Sequence, residues 1–448
     1  LEDSGLGTAP VGKLLLSASL NANIALLLYS IYSVTDSLFL AWSVDAYAAG
    51  AVSVTTPLLL ILSAVSTMAG SGGASVISRC LGRGDQEQAA RVAANVFLTF
   101  WLFAIIVSIT GILLIDPLLN ILGAAGRLYD YAKEYGVILL AGAVFSTGFS
   151  AIIRAEGAAR FSMYIWVFPV LLNIVLDYLF LFPFQLGVKG AAAATVISQM
   201  LSLGMSIWFF FIRKKRTYYI KRQHFRLKRQ IMKETVLIGF PSLVQQSTSS
   251  ILLIIVNRQL FHYGGEAAVT AFGFVTRLQT LLLLPQSGII QGMLPIFGYN
   301  MAGGKRERGK ETIKLAAVGM IVYGIVAAGI GILFRKPLLT LFTREEEILI
   351  IGIPAMIFLL AAAPIKGYEA LIASGYQALG NARRALVLTV VSFCGIKIPA
   401  ILLSGSLWRL NGILWAFPVS DLLIFILAVI AGRKILDRSK AMPDNKLC

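Results

Sequence analysis

Residues 92–115 read VAANVFLTFWLFAIIVSITGILLI and carry no charged side chain. A helix rises about 1.5 Å per residue, so a stretch this long crosses the roughly 30 Å hydrocarbon core of a bilayer. Similar runs lie near 14–34, 47–69, 135–153, 161–183, 190–212, 236–256, 267–297, 315–334, 348–375, 385–405 and 411–431. They predict an all-α membrane protein of twelve transmembrane helices. A strand barrel would instead show short segments of alternating polarity. Composition agrees: the chain is 57% hydrophobic and 14% charged, with mean hydropathy +0.80. A soluble protein carries about 25% charged residues.

The net charge is +17. Nucleic-acid binding is the first reading such a charge invites, but its distribution points elsewhere. About 28 Lys and Arg fall in loops on one side of the predicted spans, about 8 on the other and about 3 within spans, the asymmetry that marks cytoplasmic loops. The protein is therefore expected in the cell membrane with both termini in the cytoplasm. The densest run is Arg213, Lys214, Lys215, Arg216, Lys221, Arg222, Arg226, Lys228, Arg229 and Lys233. It reads as a lipid-facing cytoplasmic linker and not as a nucleic-acid surface. The linker, 213–233, separates an N-terminal six-helix lobe, 1–212, from a C-terminal lobe with a short tail, 234–448.

The halves resemble one another. Gly84 corresponds to Gly304, Gly157 to Gly380, Gly190 to Gly412 and Ser198 to Ser420, at offsets of about 220–223 that keep their order. Six spans per half is an even number, so both halves insert in the same orientation. Parallel repeats of this kind form two pseudo-symmetric bundles around an axis along the membrane normal, with a cleft near the midplane.

Ionisable side chains within a span are costly and mark function. Asp36 lies in span 1 and Asp177 in span 5. Asn173 is four residues before Asp177, on the same helix face. Span 6 opens with Gly187-Val188-Lys189-Gly190 and then Ala191–Ala194, small enough for close helix approach, which brings Thr195 toward that face. Carboxylate, amide and hydroxyl oxygens together suit Na⁺ or a proton. The repeat supplies an internal control. The same offsets carry Asp36 to Val256, Asn173 to Ile396, Asp177 to Ala400 and Thr195 to Phe417, so this cation site belongs to the first lobe alone. In the second half Lys366 and Glu369, three apart, can pair on one helix face, and Lys397 and Asp421 can pair between helices; the alternative is that Glu369 faces the cleft and receives a cationic substrate or a proton. Tyr32, Phe149, Tyr178, Arg277, Gln291, Lys366, Tyr368 and Glu369 are candidates to line a substrate cavity, aromatic faces being attractive to organic cations.

Gln291–Asn300 reads QGMLPIFGYN and is followed by Ala302-Gly303. It resembles the span 8 signature of the MATE family of multidrug and toxic compound extrusion transporters. The opening Gly7–Leu15, GTAPVGKLL, resembles a bacterial subgroup of that family that includes a staphylococcal multidrug exporter. The resemblance covers essentially the whole chain. It implies a twelve-helix, two-lobed antiporter that works by alternating access, exporting organic cations in exchange for Na⁺ or H⁺. It also implies the first-lobe cation site at Asp36, Asn173, Asp177 and Thr195, and places Glu369 near a second-lobe acid of some members. Ser19-Leu20-Asn21 stands where many members have proline, and no acid stands near Val256.

The expected partners are a small-molecule substrate and the lipid bilayer, with the protein acting as a monomer without cofactor. A lipid-linked precursor flippase of the same superfamily is the alternative. Such flippases line their cavity with arginines, and here Arg277 stands alone. An enzyme would need a nucleophile–base set or a metal motif. Neither is present, and the two histidines, His224 and His262, are far apart in sequence.

Overall fold

The computed structural model describes residues 6–44, 46–121, 126–145, 149–213, 216–342 and 345–437. The described residues are almost entirely helical. The spans are α1 (Val11–Ser43), α2 (Ala46–Gly82), α3 (Gln86–Leu113), α4 (Tyr129–Ala155), α5 (Ala159–Leu181), α6 (Gly187–Ile212), α7 (Arg229–Gly265), α8 (Ala267–Ala302) and α9 (Arg306–Leu333). Next comes α10, broken into Glu346–Ala361 and Ala363–Ala378 with a 48° bend. The apolar stretch Ala382–Arg433 loses helical geometry at Trp408 and Arg409, which divides it into α11 (382–407) and α12 (410–437). This is the twelve-helix, two-lobe architecture read from the sequence.

The repeat is visible in backbone detail. Gly84 and Gly304 have φ of +80° and +74°, and Gly157 and Gly380 of +87° and +76°. Each ends a helix with the same hydrogen bonds. The amide of Asp85 donates to Cys80 O at 2.9 Å and that of Lys305 to Asn300 O at 2.8 Å. Ala158 donates to Ile153 O and Asn381 to Tyr376 O. Only glycine takes this left-handed turn without cost. We expect Gly304→Ala to lower stability by about 1 kcal/mol, read as a fall in the thermal midpoint in detergent.

The chain forms two compact units. The first is Ile24–Gly239; the second comprises the described residues of Gly5–Asn23 and Phe240–Lys446. The basic linker therefore docks within the first unit. His224 is buried, with Nε2 2.9 Å from Glu87 Oε1 and Nδ1 accepting from the Lys221 amide at 3.2 Å. The Lys228 amide donates to Asn95 Oδ1 at 2.7 Å, and Arg79 pairs with Glu234 at 2.8 Å. Helices α2 and α7 touch backbone to backbone here: a Cβ built on Gly72 would lie 2.0 Å from Thr235 O, and one on Gly239 1.9 Å from Met68 O.

In the second unit the opening segment is gripped by the end of α8. Buried Asn300 donates to Leu6 O at 2.9 Å, Lys305 to Gly7 O at 2.8 Å and Arg308 to Ala9 O at 2.6 Å. Ser19 packs on Gly292 and Asn23 on Gly288, neither of which has room for a Cβ. The two sequence motifs, at 7–15 and 291–300, thus meet.

Candidate functional site

The first unit gathers four of the polar residues singled out above. On α5 the buried stripe Ile165, Pro169, Asn173 and Asp177 follows helical spacing, so the apolar pattern that packs the helix also aims Asn173 and Asp177 inward. Opposite them Ala191, Ala192 and Ala194 of α6 are fully buried, letting the α6 backbone come close and bringing Thr195 with it. Gly142 of α4 admits α6 in the same way, since a Cβ there would lie 2.3 Å from Val196 Cγ2. Asp36 of α1 is 2% exposed and Asp177 0%.

Oriented to satisfy its neighbours, the Asn173 amide donates to Asp177 Oδ2 at 2.9 Å and accepts from the Thr195 amide at 3.2 Å. Asp36 Oδ2 accepts from the hydroxyl of Tyr135 on α4 at 3.2 Å. Tyr135 was not among the residues that sequence reasoning found. Its only signal is a polar-tipped aromatic in an apolar span, and no spacing ties residue 135 to residue 36. One oxygen of each carboxylate, Asp36 Oδ1 and Asp177 Oδ1, is buried without a hydrogen-bond partner. Two enclosed carboxylates repel one another, and a cation or proton between them relieves the repulsion. The donors are all hard oxygens, so they fit Na⁺ as well as H⁺. Among the described residues no group of three His, Cys, Asp or Glu forms a metal cluster.

The corresponding positions in the second unit are apolar and packed. Val256 and Phe417 belong to one buried cluster with Ala400 against it, and the offset places Tyr135 at Ala355–Phe358, where Ala355 and Met356 join the same cluster. Ile396 is half-buried. We expect Val256→Ala to leave transport intact while lowering stability by about 1–3 kcal/mol through the cavity it leaves, separable by transport assay and thermal melt.

The cavity candidates scatter. Phe149 is 1% exposed and locked among Phe97, Phe100 and Trp101, with its ring 4.3 Å from that of Phe97. Tyr178 is 54% exposed, packed on Phe182. Arg277 is exposed and Gln291 half-buried. The Tyr32 side chain lies outside the described residues. Tyr368 packs on Phe425 at 5.0 Å.

Lys366 and Glu369 do not pair, contrary to their spacing. The helix is interrupted at Gly367, which stands between Ala363–Lys366 and Tyr368–Ala378, so the two side chains do not share a regular face. Glu369 accepts from Thr389 Oγ1 at 3.0 Å, and Lys366 donates to Gln279 Oε1 of α8. Lys397 and Asp421 do pair, both buried. The broken α10 leaves carbonyls that glutamines of α8 satisfy: Gln279 Nε2 donates to Leu359 O and Gln286 Nε2 to Ala363 O at 2.9 Å, and Gln286 also donates to Met320 O of α9 at 3.2 Å. Below them a cavity of about 290 Å³ is lined by Gln279, Gln286, Ser287, Lys366 and apolar side chains.

Known proteins resemble the chain along its whole length. The multidrug export protein MepA of Staphylococcus haemolyticus is 26% identical over 435 residues, covering 95% of each chain. MepA of Staphylococcus aureus is 26% identical over 433 residues, covering 96% of this chain and 95% of its own. The solved outward-facing structure of a multidrug resistance MATE family transporter of the MOP superfamily superposes with TM-score 0.92 at 23% identity, covering 98% of this chain and 99% of that one. The MatE family pattern matches residues 22–179 and 241–403. Matched across both repeats and in its twelve-helix architecture, the chain belongs to the MatE family, whose members are membrane transporters and not enzymes.

Proposed function

We propose that the protein is a secondary active antiporter that exports organic, mostly cationic small molecules in exchange for Na⁺ or H⁺ by alternating access. The observation that carries this reading is the enclosed pair Asp36 and Asp177, each with one unpartnered oxygen, in one unit of a repeated fold whose other unit is apolar at the same places. A repeat needed only for packing has no reason to hold two carboxylates on one side. Asp36 and Asp177 hold the ion, Tyr135 and Asn173 orient them, and Thr195 completes the oxygen set. The staphylococcal relatives carry the name multidrug export protein, which supports drugs or toxic metabolites as cargo. The flippase reading gains nothing, because Arg277 is exposed and has no arginine cluster around it in the span. Both termini and the basic linker lie in the cytoplasm on this reading, and the monomer is the working unit.

The test is efflux of a fluorescent organic cation from proteoliposomes, with Na⁺ and pH gradients imposed one at a time. One gradient is expected to drive efflux. Absence of gradient-driven efflux across a range of cations contradicts the antiport reading.

A further inference from the structure

We infer that the second unit carries a carboxylate-accepting subsite centred on Lys366, so that the cargo includes amphipathic molecules bearing an anionic group. This deepens the export reading above and rests on it.

Two of the buried charges in this unit have partners. Lys397 neutralises Asp421, and Glu369 is held by Thr389. Lys366 has no carboxylate partner among the described residues; its acceptor is the neutral amide oxygen of Gln279. An ammonium has three donors, and one is used. A cation in a span without a counter-ion usually faces a cavity or a ligand. Lys366 does face one, the cavity of about 290 Å³.

The wall is also rigid. Gln279 is anchored through its Nε2 to Leu359 O, so its oxygen holds the Lys366 ammonium in place. Gln286 spends its amide nitrogen on the carbonyls of Met320 and Ala363 and is not free to turn toward the ammonium. Leu283, Leu284 and Ile290 supply apolar walls. A cavity with apolar walls and one fixed cation that has no carboxylate at salt-bridge distance matches a hydrocarbon or aromatic body carrying a carboxylate. A purely cationic ligand would be repelled at this point, so the subsite distinguishes zwitterions and organic anions from simple cations.

The probes are two rhodamine dyes with the same cationic ring system, one bearing a free carboxylate and the other its ethyl ester. Binding of each to the detergent-purified full chain is measured by fluorescence anisotropy. Wild type is expected to favour the carboxylate dye by about tenfold, the size of one charge-assisted contact. Lys366→Gln should bring that ratio near one, and Lys366→Arg should keep most of it. An unchanged ratio in Lys366→Gln, equal binding of the two dyes by wild type, or binding of neither overturns the subsite. The same dyes are then followed in proteoliposomes: preferential binding without gradient-driven efflux counts against the export reading and leaves the subsite standing.

Discussion

Asp177→Asn is expected to reduce gradient-driven export to the level of empty liposomes while the protein stays folded and inserted, and Asp36→Asn to do the same. Asparagine keeps the shape of aspartate, and Asn173, the partner of Asp177, stays held by the Thr195 amide. What is lost is the charge that binds the coupling ion. The substitution also removes a buried carboxylate with one oxygen unpartnered, so the thermal midpoint should hold or rise as transport disappears. That combination separates a coupling residue from a structural one, whose loss would lower both. Thermal melts of the purified variants beside efflux from proteoliposomes read the two quantities. Normal export by both variants would remove the assigned site.

Gly239→Leu is expected to cost roughly 3 kcal/mol or more, at or beyond the upper end of overpacking penalties, and to collapse the yield of folded protein. The reason is the backbone contact between α2 and α7, where even a Cβ on Gly239 would stand 1.9 Å from Met68 O and one on Gly72 2.0 Å from Thr235 O. Neither partner is a flexible side-chain end; one of the two backbones must move. Two turns along α2 from Gly72, buried Arg79 pairs with part-buried Glu234, so separation of the helices also strands charge. Small residues at helix crossings are how membrane helices gain packing where lipid offers no hydrophobic driving force. Size-exclusion profiles of the solubilised variant measure the effect, and a wild-type profile and melting point would show that the contact is looser than described.

The fold was largely legible because each span is a long apolar run, and the repeat because Gly84 and Gly304, and Gly157 and Gly380, are places where the turn excludes a side chain. The juxtaposition of Asn173, Asp177 and Thr195 was legible for local reasons, one helix face on α5 and a run of alanines on α6. The arrival of Tyr135 was not, since only the tertiary packing of α4 against α1 brings its hydroxyl to Asp36. The membership of residues 6–23 in the second unit was hidden as well, because its cause is a set of carbonyls held by Asn300, Lys305 and Arg308 nearly three hundred residues away. Lys366 and Glu369 misled by spacing: the i,i+3 rule assumes an unbroken helix, and Gly367 interrupts this one.

Ion release on substrate binding tests the central claim most directly. Purified protein in weakly buffered detergent is given an organic cation, while released protons are followed with a pH electrode and released Na⁺ with a ²²Na⁺ tracer. Wild type is predicted to release one of the two ions, and the Asp36→Asn, Asp177→Asn double variant to release neither while remaining folded. Release of the same ion by the double variant would place the exchange elsewhere in the protein and contradict the site.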